Sequence, residues 1–144
     1  MAKVLGLWIK QHAGAEMCAQ DELQLTLEDG VVGGAPTVKD RQVTVLTIEA
    51  WRAACDEVGE TFDPGRRRAN ILVDEVNVTE MTGRRLRIGD TLLHICFETW
   101  PCEQMDAIKP GLRRALETHW RGGVCCEVVE GGVIRIGDSV EVMP

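Results

Sequence analysis

Apolar and polar residues alternate along most of this chain at the period of a strand. Lys3–Ile9 and Leu23–Leu27 switch between apolar and polar or small residues, and the second run places Leu23, Leu25 and Leu27 on one face. Val43–Leu46 is a short run rich in β-branched residues, and Ile71–Val73 is a continuous apolar one. Thr91–Phe97 sets Leu93, Ile95 and Phe97 on one face against Leu92, His94 and Cys96 on the other, and Val124–Val129 and Ser139–Met143 complete the set. The breaks fall at Asp29-Gly30, Gly33-Gly34, Gly65, Gly89-Asp90, Gly131-Gly132 and Gly137-Asp138, all of them turn chemistry.

Two stretches depart from this rhythm. Ile48, Trp51, Cys55 and Val58 recur at helical spacing, with Thr47 placed to cap the first turn and Gly59 just past the last. A second helix is predicted from about Gly111 to Trp120, with Leu112, Ala115, Leu116 and His119 on one side and Gly122 as its stop. Many short strands, glycine turns and two or three short helices predict a mainly β, barrel-like fold and not a βαβ sandwich. One segment is echoed: Leu86-Arg87-Ile88-Gly89-Asp90-Thr91-Leu92 matches Ile134-Arg135-Ile136-Gly137-Asp138-Ser139-Val140, so each is expected to form a hairpin or a bent corner.

Length and charge narrow the classes. The 144 residues fit a single domain, 1–144, of common size. A formal charge of −7 argues against a nucleic-acid coat or a basic membrane binder. The one local excess of positive charge lies in residues 61–90, with 6 basic against 5 acidic side chains, in Arg66-Arg67-Arg68 and in Arg84, Arg85 and Arg87. No run reaches the roughly 18 apolar residues needed to span a bilayer, and Val4–Ile9 is too short for a secretory core. The six cysteines are therefore expected as reduced thiols in a cytoplasmic protein. None forms a C-x-x-C pair, so a structural zinc site is not expected.

Among the thiols, Cys102 has the most reactive setting. It follows Phe97-Glu98-Thr99-Trp100-Pro101, where a strand stops, and the proline keeps the backbone extended there. A thiol on such a loop reaches solvent or a ligand, and positive charge nearby would favour its thiolate. Cys55 falls on the apolar stripe of the first helix and Cys96 alternates with core residues. Cys125 and Cys126 point to opposite faces of one strand, and Cys18 sits in a loop. Arginine's planar fork suits phosphate and carboxylate oxygens, but three arginines in a row cannot all point inward, so at least one of Arg66–Arg68 is expected on the surface. Asn70 offers a donor and an acceptor at the start of a strand, to read a heterocycle edge or to close a turn. His12, His94 and His119 are scattered and make no hydrolase triad.

Taken in order, the segments Gly30-Val31-Val32-Gly33, Asp40-Arg41-Gln42-Val43-Thr44, Pro64-Gly65-Arg66-Arg67-Arg68-Ala69-Asn70-Ile71, Gly83–Asp90, Pro101-Cys102, Arg121-Gly122-Gly123-Val124 and Gly132–Asp138 resemble the MOSC domain. This is the module at the C-terminus of molybdenum cofactor sulfurases, also found in short stand-alone bacterial proteins. The resemblance runs from about residue 3 to 143. It implies a fold like the pyruvate kinase barrel domain and a cysteine, matching Cys102, that carries sulfane sulfur as a persulfide or ligates molybdenum. It further implies binding of molybdopterin, an anionic phosphorylated pterin; some members reduce N-hydroxylated compounds with it. Arg67, Arg68 and Asn70 match the family's Arg-x-x-Asn region and Arg41 its Asp-Arg stretch, so these four are the implied cofactor contacts. A sulfur-carrier role would need no pyridoxal phosphate on this chain but would need a sulfur donor such as a cysteine desulfurase. A reductase role would need a separate electron-transfer protein, since no iron–sulfur spacing or flavin fingerprint is present. The alternative is a non-catalytic carrier of the pterin cofactor. Its support is that Gly33-Gly34-Ala35-Pro36 stands where many stand-alone members have Gly-Asp-x-His, and Ala69 where many have an acidic residue.

Overall fold

The computed structural model describes residues 1–144 and is mainly β. In chain order its elements are β1 (Val4–Ile9), β2 (Cys18–Gln20), β3 (Glu22–Thr26), β4 (Gly30–Val31), β5 (Val43–Thr47), α1 (Ile48–Val58), β6 (Ile71–Val73), β7 (Arg85–Ile88), β8 (Thr91–Glu98), α2 (Gln104–Ile108), α3 (Leu112–Glu117), β9 (Val124–Glu130), β10 (Gly132–Arg135) and β11 (Val140–Met143). Eight strands form one sheet in the order β11-β7-β8-β9-β5-β6-β1-β2, and β10-β3-β4 form a second.

The large sheet is mixed and is not a closed barrel. It curls until the start of β11, one edge strand, meets the start of β1, the strand next to the other edge, at a single bridge, Lys3 with Ser139. Around that bridge Val4 N–H donates to the Asp138 carbonyl at 2.9 Å, and Gly137 N–H donates to Val4 at 2.9 Å. The barrel-like expectation therefore holds for the shape, while closure rests on a short contact and not on a full ladder. The β5–β6 pair is parallel and is joined through α1. A parallel pair needs such a crossover, so one βαβ unit is embedded in an otherwise antiparallel fold.

Alternation assigns the two faces of these central strands. Val43 and Val45 of β5, with Ile71 and Val73 of β6, point into the core between the sheets. Leu46 and Leu72 point outward into a second core built with Trp51, Ala54 and Cys55 of α1, Met105 of α2 and Leu112, Ala115 and Leu116 of α3. Both faces of β5 are buried because helices cover the outer one. The α1 boundaries match the sequence expectation. Thr47 Oγ1 accepts the Ala50 N–H at 3.2 Å, and Gly59 closes the helix in the left-handed region at φ 79°.

Several expectations are corrected. Leu27 lies outside β3 and is 55% exposed, because the chain turns at Thr26, whose hydroxyl accepts the Asp29 N–H at 3.0 Å. The second helix is shorter than the pattern suggests: α3 ends at Glu117, and His119 and Trp120 adopt positive φ of 54° and 59°. The Thr118 hydroxyl folds back to donate to the Ala115 carbonyl at 3.0 Å, so the helix stops well before Gly122. The echoed segments, by contrast, form the two kinds of turn expected of them, one each. The first is the β7–β8 hairpin, whereas the second is a corner carrying the chain from β10 in the small sheet to β11 in the large one. The two turns meet, with the Gly89 N–H donating to the Ser139 carbonyl at 3.0 Å.

Candidate functional site

The arginine run forms a 3-10 turn over Pro64–Arg67, and that geometry separates its side chains. Asp63 Oδ1 accepts the Gly65 N–H at 2.7 Å, Pro64 fits the first helical position, and Arg68 ends the turn in the left-handed region at φ 70°. With three residues per turn, consecutive side chains diverge by about 120°. Arg66 therefore points outward over the Phe62 ring, 5.5 Å from its centroid. Arg67 points inward and is 6% exposed. Half-buried Arg68 reaches across to donate from Nη2 to the Ala15 carbonyl at 2.7 Å.

Arg41, Arg68 and Asn70 line one cavity of about 120 Å³ beyond the C-terminal end of β1 and the N-terminal ends of β5 and β6. Lys10 joins them, so the wall carries three cations; Gly34, Ala35 and Thr37 complete it, and no carboxylate or imidazole lines it. Arg41 is oriented by stacking its guanidinium 5.1 Å from the Phe97 ring centroid. Asn70 faces this cavity with its hydrogen bonds already used. Its Oδ1 accepts from the Thr44 N–H at 3.0 Å and from the Thr44 hydroxyl at 3.2 Å, while Nδ2 donates to the Trp8 carbonyl at 3.2 Å. Asn70 thus ties β5, β6 and β1 together at the cavity floor. A groove of about 550 Å³ adjoins the cavity through shared Met17 and Arg68 and is walled by Trp8, Gln104, Met105 and Ile108, with Glu16 and Asp63 at its polar side.

Cys102 is exposed between β8 and α2. It lines neither hollow itself, but Gln104 and Met105, the residues that follow, line the groove. The Cys102 carbonyl accepts the Met105 N–H at 3.1 Å, which fixes the loop to the start of α2.

Arg67 does not line the cavity. Its Nη2 donates to the Gly122 carbonyl at 2.9 Å and to the Thr99 carbonyl at 3.4 Å, clamping the strap that carries Cys102. Its Nε–H is buried without a partner, an omission that costs on the order of 1–3 kcal/mol. Burial pulls the Arg67 guanidinium below its ordinary range, while the sulfurs of Cys102 and then Cys125 favour its charge. Arginine stays protonated at neutral pH even so, which leaves a buried cation beside two thiols.

Of the remaining thiols, Cys125 is buried and 3.2 Å from the Thr99 hydroxyl. Burial pushes it up, opposed by the Thr99 hydrogen bond and by Arg41 and Arg67. Cys126 is sealed in the core and held well above its usual range by burial. Burial, then the charges of Glu127 and Asp40, raise Cys96. Cys55 packs in the helical core, and Cys18 is exposed at the start of β2. No three His, Cys, Asp or Glu side chains gather to hold a metal ion.

Sequence reasoning passed over three features here. Lys10 gives no local signal, because only the sheet order brings the end of β1 beside Asn70. Thr99 is an unremarkable residue until its carbonyl meets Arg67 and its hydroxyl meets Cys125. Gly122 reads as a helix stop, yet a Cβ there would run into the Thr99 carbonyl and come 3.2 Å from Arg67 Nη2 and 3.5 Å from Pro101 Cδ. The glycine leaves room for the Cys102 strap.

No helix is long and apolar enough to cross a membrane. Comparison with curated proteins returns no match. Solved structures share the fold. YuaD from Bacillus subtilis superposes with a TM-score of 0.84 at 21% identity, covering 99% of this chain and 96% of that one. YiiM from Geobacillus stearothermophilus gives 0.78 at 15% identity over 100% and 76% of the two chains. YiiM from Escherichia coli gives 0.72 at 19% identity over 99% and 70%. The family model for the MOSC domain matches residues 11–141, and with nearly the whole length matched, this chain belongs to the MOSC domain family, which is associated with molybdenum cofactor binding or sulfurase function.

Proposed function

We propose that this protein binds the molybdenum cofactor through its phosphorylated pterin and uses Cys102 as a sulfur carrier or as a ligand to the metal. The observation that carries this reading is the cavity wall of Lys10, Arg41 and Arg68, free of carboxylates, next to the groove bordered by α2, the helix that follows the Cys102 loop. Three cations suit a phosphate dianion, and arginine's fork suits its oxygens. Ligand sites typically span about 300–1,000 Å³, so the cavity matches the phosphate alone. The adjoining groove of about 550 Å³ has the room and the Trp8 and Met105 walls for a heterocycle. Cys102 would offer one exposed thiolate, and since no three His, Cys, Asp or Glu side chains gather to hold a metal by themselves, the remaining ligands would arrive with the cofactor.

When bound, the cofactor would supply the redox chemistry. The residues of this chain do the rest. Arg41 and Arg68 hold the anion, Asn70 keeps the cavity floor in register, and Arg67 fixes the strap that presents Cys102. In a carrier role, the Cys102 thiolate attacks the terminal sulfur of a persulfide on a cysteine desulfurase. One S–S bond forms on Cys102, the donor's S–S bond breaks, and the donor leaves as its thiolate. In a reductase role, an external electron-transfer protein supplies the electrons to reduce N-hydroxylated compounds.

A specific observation favours a second reading, a cofactor carrier without turnover: Gly34 and Ala35 line the cavity, and no carboxylate or imidazole there can move a proton. The experiment is elemental analysis of protein purified from a molybdenum-replete host, with sulfane sulfur released by cyanide and measured alongside. Molybdenum or sulfane sulfur is expected on the native protein, lost in Cys102→Ser and kept in Cys55→Ser. Equal loss from both variants, or neither element on the native protein, refutes the assignment. Bound molybdenum without reduction of an N-hydroxylated substrate, given a working electron donor, selects the carrier reading.

A further inference from the structure

We propose that residues Gln11–Met17 form a lid over the seam between the cavity and the groove, latched by Arg68, and that an anion in the cavity tightens the latch. The proposal rests on the anion-binding part of the reading above and adds a moving part to the same site.

The segment joins β1 to β2 and is almost untied. From Gln11 to Met17 its one hydrogen bond to a distant part of the chain runs from Arg68 Nη2 to the Ala15 carbonyl, at 2.7 Å. The Ala15 N–H turns inward on the segment itself, to the His12 carbonyl at 3.0 Å. None of its residues joins an ion pair. Gln11, His12, Ala13 and Gly14 are exposed. Gly14 stands at φ 78° with open space where a Cβ would be, a conformation that glycine adopts and leaves at little cost. A segment with one polar tie and few buried side chains opens far more easily than the fold as a whole.

Its position gives that opening a consequence. Met17 and Arg68 are the residues common to the cavity and the groove, so the two hollows meet at them. Glu16 borders the groove, and Lys10, just ahead of the lid, borders the cavity. Two peptide units separate Ala15 from Met17, a span of at most about 7 Å. The Arg68–Ala15 bond therefore sets where Met17 stands and how the hollows are divided.

The latch and the anion share one guanidinium. Arginine carries five N–H donors in a rigid plane, and in Arg68 only Nη2 is bonded. None of its other nitrogens is both buried and unpaired, so they open onto the hollows that Arg68 lines. An anion held by those donors immobilises the plane, and with it Nη2 against Ala15. Lys10 acts at the root of the lid. Its carbonyl accepts the Ala35 N–H at 2.6 Å, and both residues line the cavity. One anion thus draws root and latch together. By linkage, an open lid weakens the hold on the anion by the same factor.

The test is proteolysis of the full chain after the exposed Glu16 by a glutamate-specific protease. Under conditions where the lid opens and closes faster than it is cut, the rate follows the open population. The probe is inorganic phosphate, with sodium chloride at equal ionic strength as the reference. A free peptide of residues 10–20 corrects for any effect of phosphate on the protease. Where opening requires the anion to leave, cleavage slows by 1 + [phosphate]/Kd. At ten times the Kd measured by calorimetry, the native chain is expected to be cut about tenfold more slowly. Arg68→Ala, checked for folding by circular dichroism, is expected to be cut about three- to tenfold faster than the native chain in chloride, and phosphate should leave its rate unchanged.

A native chain resistant to cleavage at Glu16, a rate that phosphate leaves unchanged or raises, or a folded Arg68→Ala cut no faster in chloride each overturns the lid. The native comparison decides the matter alone if Arg68→Ala does not fold. Phosphate that binds by calorimetry without slowing the cut removes the lid and leaves the anion site standing, whereas no phosphate binding at all removes both. A lid that responds in a protein purified without molybdenum or sulfane sulfur would sink the cofactor reading alone.

Discussion

Asn70 is the residue whose sequence-implied and structural roles are most sharply separable. Replacing it with alanine in the cofactor-free protein removes the acceptor of the Thr44 N–H and hydroxyl and the donor to the Trp8 carbonyl. The Thr44 amide then lies at the junction of β5 and β6 without a partner, a loss of about 1–3 kcal/mol, and the bond to Trp8 adds roughly 0.5–1.5 kcal/mol. The expected destabilisation is about 2–4 kcal/mol. For a chain of this size that lowers Tm by about 6–12 °C. Asn70→Asp keeps Oδ1 but turns the Trp8 contact into one between two oxygens, so it should recover only part of the loss. Urea denaturation of cofactor-free protein, followed by circular dichroism, measures all three. An Asn70→Ala variant within about 0.5 kcal/mol of the native chain, the range of ordinary surface changes, would refute the strand-tying role and return Asn70 to cofactor contact alone.

Other consequences are open to measurement. Gly122→Ala should cost about 2–4 kcal/mol by overpacking the Thr99 carbonyl and displacing Arg67 Nη2, whereas Gly137→Ala, at φ 93° with open space around it, should cost only the left-handed strain of about 1–2 kcal/mol; equal Tm shifts in thermal melts would contradict the steric account. Arg68→Ala should weaken binding of inorganic phosphate or of the cofactor by about tenfold to a hundredfold while the chain stays folded, and unchanged affinity by calorimetry would remove it from the anion site. Stability should fall as pH rises above about 8.5, because unfolded thiols ionise there while burial holds Cys125 and Cys126 protonated in the fold. The slope contributed by each raised thiol reaches about 1.4 kcal/mol per pH unit and ends once pH passes its folded value. Urea melts across pH should show a shallower decline for Cys126→Ala, and an identical decline would contradict the linkage.

The sequence by itself determined what depends on neighbours along the chain. Period-two alternation marked nearly every long strand, because a strand's two faces are set by the pleat wherever it ends up. The α1 boundaries were legible because Thr47 and Gly59 act on the backbone beside them. The exposed position of Cys102 was legible from the loop that follows a strand and carries Pro101. The ordered series of turns and arginines was enough to suggest the family that the match over residues 11–141 establishes.

The tertiary structure decided what depends on residues far apart. The three adjacent arginines could be ranked only once a 3-10 turn had sent them in three directions, one to solvent, one to the cavity and one into the interior beneath the Cys102 strap. Lys10, Arg41 and Arg68 share a wall because sheet order places β1, β5 and β6 side by side, and no local pattern encodes that order. The roles of Asn70 and Gly122 were hidden for the same reason. The partners of Asn70 lie 26 and 62 residues away, and the constraint on Gly122 comes from Thr99 and Arg67. Local backbone preferences act over a few bonds and can be read in order, whereas a site is made of hydrogen bonds and charges between segments that only folding brings together.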